Sequence, residues 1–328
     1  MQDTLKAILL TGAGFSHDFG GYLANDLWAV IFNHPSVQRV PLLRLAMQDE
    51  AVKFNFELVY DKVVHGSDFA DANKQAMIEA VNAAYAEMDR IIQGFGETPA
   101  TPSLHEVRRF IQRFAGTQTN PGFFFTLNQD LFVERRLSPE ILIHLPHLRK
   151  RERFTDRFRS ASIDEIRMRL PSTVDEAKIS PDGPAPLFYV KLHGSFEWIS
   201  SGGEFRPVIG TQKTAIIREE PILVSYSQLF AQALRGARKL VIIGYRFADP
   251  HINGAIAGAC RYHGLEIYIV TTDTPDDFVS GLEKSDEWRN LREHWAGFYR
   301  CPVRELFSLR NEAGRQARAN LERAVFAE

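Results

Sequence analysis

The chain has 328 residues, of which 45% are hydrophobic and 24% charged, and a formal net charge of −2. It is too apolar for disorder and long enough for one large core or two modest ones. The near-neutral balance argues against nucleic-acid binding through bulk charge, and two cysteines, Cys260 and Cys301, exclude a disulfide framework and a four-cysteine zinc site.

The first residues carry no basic segment followed by a sustained apolar run, so no secretory signal is expected. No stretch approaches the roughly 18 uninterrupted apolar residues that span a bilayer. The expected location is the cytoplasm. Residues 6–11 read as a buried strand that runs into Gly12-Ala13-Gly14-Phe15-Ser16, with Gly20 and Gly21 following. A mainly helical insertion occupies about 29–120, clearest over 70–92, and a capping box of Ser103 and Glu106 opens a helix running to 114. Residues 123–127 and 187–192 are further strands. Between them lies a second insertion, about 145–186, which opens on the basic run 149–153 and closes on the proline-rich run 181–186. For the basic residues 149–159, a solvated helix face is the ordinary reading and a docking site for an acidic partner or nucleic acid the sharper one. Residues 195–210 read as a β-hairpin turning at 200–203. Strands at 239–244 and 266–271 follow, and 311–327 reads as an amphipathic helix. Apolar strands alternating with helices predict a doubly wound, mainly parallel α/β sheet.

In an open α/β sheet, ligands sit outside the carboxyl ends of the strands. Four predicted strand ends there deliver residues suited to a dinucleotide. The glycines of Gly12-Ala13-Gly14-Phe15-Ser16 allow close approach of a diphosphate, and amides at the following helix start supply hydrogen bonds. The spacing is not a full GxGxxG, because His17 stands where the third glycine belongs, and no Gly-Lys-Ser/Thr follows. A tight strand-to-helix turn explains the same glycines. Asn128 and Asp130 lie just past the second strand, His193 past the third, and Gly244 and Asp249 past the fourth. Each has a local alternative: Asn128 as a turn former, His193 as a hydrogen-bonded imidazole, Asp249 as a helix cap before Pro250. Asp273, at the end of a fifth strand, suits an adenine-side ribose or an N-cap equally. His17 is expected to face solvent. Trp28 and Trp198 read as core or pocket-wall aromatics.

As an ordered set, Gly12–Ser16, Thr126–Asp130 and Leu192–Ser195 resemble the GAGxS, TxNxD and LHGS patterns of the Sir2 (sirtuin) superfamily. The segment from Gly244 through Asp249-Pro250-His251-Ile252 resembles the bacterial SIR2-like branch more than the deacylases. The resemblance implies a Rossmann-like NAD-binding domain over about 1–310, followed by the helix at 311–328. It implies Asn128, His193 and Asp130 as catalytic residues. Gly12, Ala13, Gly14, Phe15, Ser16, Ser195, Gly244, Asp249 and Asp273 would contact the dinucleotide. The zinc ribbon of the deacylases has no counterpart here, so no metal is expected and deacylation is disfavoured. The implied activity is NAD hydrolysis to nicotinamide and ADP-ribose, as the NAD-depleting effector of an anti-phage, abortive-infection system. A separate sensor or regulatory subunit is implied (a HerA-type ATPase, a short Argonaute or a nucleotide-sensing protein), or a homo-oligomer, with no membrane and no direct nucleic-acid contact. The alternatives are a sensor that binds NAD or ADP-ribose without turnover, and a zinc-free deacylase or ADP-ribosyltransferase.

For His193, an imidazole with a reference pKa near 6.5 is suited to general-base work. Asn128 has both donor and acceptor for ribose hydroxyls or water, and Asp130 a charge to stabilise a developing cation or to orient Asn128.

Overall fold

The computed structural model describes residues 5–52, 54–117, 119–137, 141, 143–148, 159–173, 186–200, 208–210, 213–283, 287 and 291–327. Its strands in chain order are β1 (Leu5–Thr11), β2 (Gly122–Thr126), β3 (Ile143–His144), β4 (Met168–Arg169), β5 (Leu187–Lys191), β6 (Trp198–Ile199), β7 (Ala237–Ile243), β8 (Glu266–Thr271) and β9 (Trp295–Arg300). Seven of them form one sheet in the order β3-β5-β2-β1-β7-β8-β9, and every neighbouring pair is parallel. Consecutive residues Ile8, Leu9 and Leu10 of β1 are all fully buried, as are Phe124 and Phe125 of β2. Side chains of adjacent strand residues point to opposite faces, so both faces of the sheet centre are covered. The helices Pro221–Gly236 and Glu312–Phe326 both pack on β1.

After β1 the chain adds β2 beside it, then β3 at the edge and β5 between β2 and β3, and crosses back to place β7 on the other side of β1. The order therefore reverses between β1 and β7, and such a switch point opens a crevice at the strands' carboxyl ends. Between β1 and β2 the described elements are all helical, the longest being Asp71–Gly94. This matches the predicted helical insertion.

Three local expectations change. The Ser103 hydroxyl accepts from the Glu106 amide at 3.4 Å, but the Glu106 carboxylate turns away to Arg318 at 2.6 Å, so only half of the capping box forms. Its helix ends at Gln112 rather than at 114. The predicted hairpin has its turn at 200–203, which lies mostly outside the described residues; its first arm, β6, pairs in parallel with β4. The basic run 149–153 and the proline-rich run, apart from Pro186, are also outside the described residues. The C-terminal helix forms as Glu312–Phe326, with Asn311 accepting from the Gly314 amide at 2.7 Å. No helix among the described residues is long and apolar enough to cross a membrane.

Candidate active site

The loop after β1 leans on the loop after β7. Gly12 and Gly14 amides donate to the carbonyls of Ile243 and Gly244 at 3.0 and 3.1 Å, and the Phe15 amide donates to the Gly12 carbonyl at 2.9 Å. A Cβ on Gly12 would lie 2.7 Å from the Gly244 oxygen, and one on Gly14 would lie 2.9 Å from the Gly244 Cα. The glycines thus let two backbones meet at the switch point, a packing role, whereas the sequence predicts the close approach of a diphosphate. Three of the amides expected to face a diphosphate are committed within the fold in this conformation. Ala13 is the exposed residue of the loop, while the Phe15 ring is buried against Phe124 and Phe132. His17 is exposed, as expected.

Ser16 links this loop to the end of β2. Its buried hydroxyl donates to Asp130 Oδ2 at 2.6 Å and accepts from Asn128 Nδ2 at 3.1 Å. The Asn128 side chain therefore acts across strands rather than merely closing its own turn. Asp130 Oδ1 accepts from the Phe132 amide at 3.0 Å, fixing the carboxylate from its other side. Behind it, Lys191 on β5 donates to the Asp130 carbonyl at 2.6 Å and to Glu134 at 2.8 Å. Burial pushes the Glu134 carboxyl up to about 7, against the opposing pull of Lys191.

His193 is brought not to this trio but to His251, with Nε2 to Nε2 at 3.1 Å. Burial pushes its imidazole down to about 3, the Asp249 charge opposing, so the ring is neutral and does not titrate near 6.5 as the free side chain would. His251 is half-buried and also shifted down, by burial first. β5 and β7 are separated by β2 and β1, about 14 Å at the usual strand spacing. The imidazole pair therefore closes an arch over the ends of β2 and β1.

Asp249 stands at the N-cap of helix Pro250–His263, yet its side chain makes no capping bond. It accepts instead from Lys213 at 2.9 Å, and Lys213 also meets Glu57 at 2.9 Å. Burial acts to lower the Lys213 pKa, but the two carboxylates outweigh it and raise it. The Asp249 loop is fixed by Tyr245, whose hydroxyl accepts from the Asp249 amide at 3.1 Å and donates to Asn253 at 2.8 Å.

Ser195 is buried, its hydroxyl directed at Glu197. It lines a small cavity with Gly194, Trp198 and Val208. Trp198 is buried, as expected of a pocket wall, and Trp28 stacks on Phe32 at 5.0 Å. Asp273 follows β8 as expected but does not cap the next helix. Thr274 does so, and Asp273 pairs with Arg246 through two contacts, one of them 2.9 Å to Nε. Sequence reasoning passed over His251, Lys213 and Glu57. His251 stood inside the segment Asp249-Pro250-His251-Ile252, whereas Lys213 and Glu57 carry no motif that distinguishes them from surface charges.

A profile of the SIR2-like domain family matches residues 122–294. The matched span contains Asn128, Asp130, His193, Ser195, Gly244, Asp249, His251 and Asp273, and begins after the Gly12–Ser16 loop. No curated protein matches the chain at a significant level of similarity. Among solved structures, a Sir2 homologue with a histidine-to-asparagine substitution, in complex with ADP-ribose, is 16% identical at a TM-score of 0.42, covering 98% of this chain and 98% of its own. A Sir2 homologue in complex with NAD is 15% identical at a TM-score of 0.40, covering 96% of this chain and 90% of its own.

Proposed function

This chain belongs to the SIR2-like domain family, and from that premise we propose that it hydrolyses NAD to nicotinamide and ADP-ribose. The observation that carries this reading is the gathering of Ser16, Asn128 and Asp130 at the carboxyl ends of β1 and β2, beside the switch point, under the His193–His251 arch.

Each group has a task in breaking the nicotinamide–ribose bond. The electron pair of the C1′–N bond leaves with nicotinamide, and the ribose passes through an oxocarbenium-like state. The Asp130 carboxylate, aimed by Ser16 and the Phe132 amide, stabilises that positive charge. Asn128, tied to the same hydroxyl, orients a ribose hydroxyl or the attacking water. Water adds to C1′ and gives up a proton; the neutral His193 ring offers a lone pair for it and, with its pKa pushed down to about 3, passes the proton on to solvent rather than holding it. The diphosphate would lie on the exposed side of the glycine loop, at Ala13, with Gly244 backing the loop from behind. Asp249 holds the arch through Lys213, and Ser195 lines the cavity beyond it. To Asp273 we assign the adenine-side ribose, and its partner Arg246 supplies a guanidinium suited to a neighbouring phosphate.

The biological setting we propose is depletion of NAD in anti-phage defence, switched on through a separate sensor subunit or self-assembly. It rests on the resemblance carried by the segment through Asp249 and His251. Nicotinamide and ADP-ribose release from purified protein tests the chemistry. Asn128→Ala and His193→Ala are each expected to lower turnover at least ~100-fold. Turnover persisting in both would overturn the assignment. One observation favours a second reading, a sensor that binds without turnover: His193 is neutral and engaged with His251 rather than with the trio. Tight NAD binding with no turnover, alone or with candidate subunits, would select it.

A further inference from the structure

We propose that His193, His251 and Asp249 form a binding site for a divalent transition-metal ion of the zinc or cobalt type. The ligand atoms of the three lie within 4.8 Å of one another, His193 just past the end of β5 and Asp249 and His251 at the start of helix Pro250–His263. The two Nε2 atoms face each other at 3.1 Å. Two imidazole nitrogens bound to one ion at about 2.1 Å stand roughly 3.0 Å apart at a right angle and 3.4 Å apart at the tetrahedral angle. The observed spacing falls inside that window, so the two nitrogens already stand at the separation an ion would need; the rings, with centroids 5.2 Å apart, would turn to aim both lone pairs at it. The carboxylate needs to close by at most about 1.8 Å, a side-chain adjustment.

Two imidazoles and one carboxylate are the donor set of borderline ions such as Zn²⁺ and Co²⁺, and three protein ligands leave a fourth position for water or substrate. The surroundings suit this. Asp249 is anchored through Oδ1 by Lys213, which leaves its other oxygen for the ion, as ligating carboxylates are commonly held. The Lys213 charge, which would repel a cation, is answered by Glu57 as well as by Asp249. Asp249 is buried, unlike the exposed acidic clusters that attract ions only loosely.

Seated there, the ion engages the His193 nitrogen and ties the arch closed, so hydrolysis stops until the ion is withdrawn. This regulatory half rests on the hydrolase reading; the binding itself does not. The test uses the full chain, stripped of metal by chelator and dialysis and titrated with Co²⁺. The expected result is a visible d–d absorption band that saturates at one equivalent and is displaced by one equivalent of Zn²⁺. Absence of a stoichiometric band in the unmodified protein overturns the site. His251→Ala is expected to weaken Co²⁺ binding at least ~100-fold and Asp249→Asn at least ~10-fold, since loss of a ligand costs no less than loss of a group that orients one. His263→Ala, at the exposed far end of the same helix, is expected to keep the band. A band unchanged in both His251→Ala and Asp249→Asn also overturns the site. Zn²⁺ is expected to abolish NAD turnover and chelator to restore it. Turnover unaffected or raised by saturating Zn²⁺ overturns the inhibitory role, while a band without any turnover in metal-free protein, alone or with candidate subunits, leaves the site standing and removes the hydrolase reading.

Discussion

Ser16 holds both of the residues that its neighbours need aimed. Its hydroxyl accepts from Asn128 and donates to Asp130, and the residue is 1% exposed, so water does not replace either bond. Ser16→Ala removes one oxygen and little volume. Stability is expected to fall by only about 1–2 kcal/mol, the usual cost of one buried hydrogen-bonding group. NAD turnover is expected to fall roughly 100-fold, because misplacing a positioned group by an ångström costs about that much. Urea unfolding and nicotinamide release measure the two effects; turnover within twofold of the parent would remove Ser16 from the site. The two cysteines make a second prediction at this scale. Burial pushes the Cys260 thiol up to about 12 and the Cys301 thiol up to about 11. The thiolate is the reactive form, and at pH 8 it is roughly a thousandth or less of either group. A disulfide reagent at pH 8 should therefore leave the folded chain unmodified over minutes and label two thiols after unfolding. Rapid labelling of the native chain would contradict their burial. At this scale the sequence showed Asn128, Asp130, His193 and Asp249 as strand-end residues, because polar groups after an apolar run stand out. It did not show that His193 meets His251, since that contact depends on how far a loop reaches across two strands.

Gly244 joins two elements, the ends of β1 and β7. Its φ is +67°, and a Cβ there would lie 2.5 Å from the Phe15 nitrogen and 2.6 Å from the Gly14 carbonyl carbon. Gly244→Ala thus combines a left-handed backbone with a clash against backbone that has no flexible end to yield. The expected cost is at least about 1–3 kcal/mol, and the parted loops should also lose NAD affinity. Chemical denaturation and calorimetric titration with NAD check both; unchanged stability would mean that the loops do not meet as described. Strands buried on both faces were legible for a related reason: a run such as Phe123, Phe124 and Phe125 admits few other placements. The two outer strands were not. β3 has only two residues, and β9 is half-exposed with Gly297 interrupting its apolar pattern, as suits an edge. The half-formed capping box failed for a different cause. Glu106 has a stronger partner in Arg318, which approaches from the C-terminal helix some two hundred residues away in the chain. Local signatures record local options, and a distant charge decides between them.

For the whole molecule, the C-terminal helix Glu312–Phe326 reads from sequence as an amphipathic helix that follows the domain over about 1–310. The structure packs it on β1 and β9, at the middle and one edge of the sheet. Leu321 is fully buried and Val325 is 2% exposed. The Phe326 ring meets Phe114 edge-on at 5.0 Å, with the Arg113 guanidinium 4.8 Å above it. Lys239 on β7 reaches the last turn and donates to the Ala324 and Val325 carbonyls at 2.7 and 3.2 Å, satisfying groups that a helix end leaves unpaired. Burying Leu321 and Val325 alone stabilises by about 3–6 kcal/mol. A domain's whole stability is about 5–15 kcal/mol, so this is a large fraction of it. Ending the chain at Arg310 also uncovers one side of β1, whose carboxyl end holds the glycine loop. The truncated chain is therefore expected to lose cooperative thermal unfolding or to aggregate at 37 °C, and to lose NAD binding with it. Two milder variants separate packing from deletion: Leu321→Ala should cost about 2–5 kcal/mol, and Lys239→Met should cost about 1–3 kcal/mol through the carbonyls it leaves unpaired. A truncated chain that melts as the parent does would show that the sheet needs no cover on that side, and that the helix is dispensable to the fold.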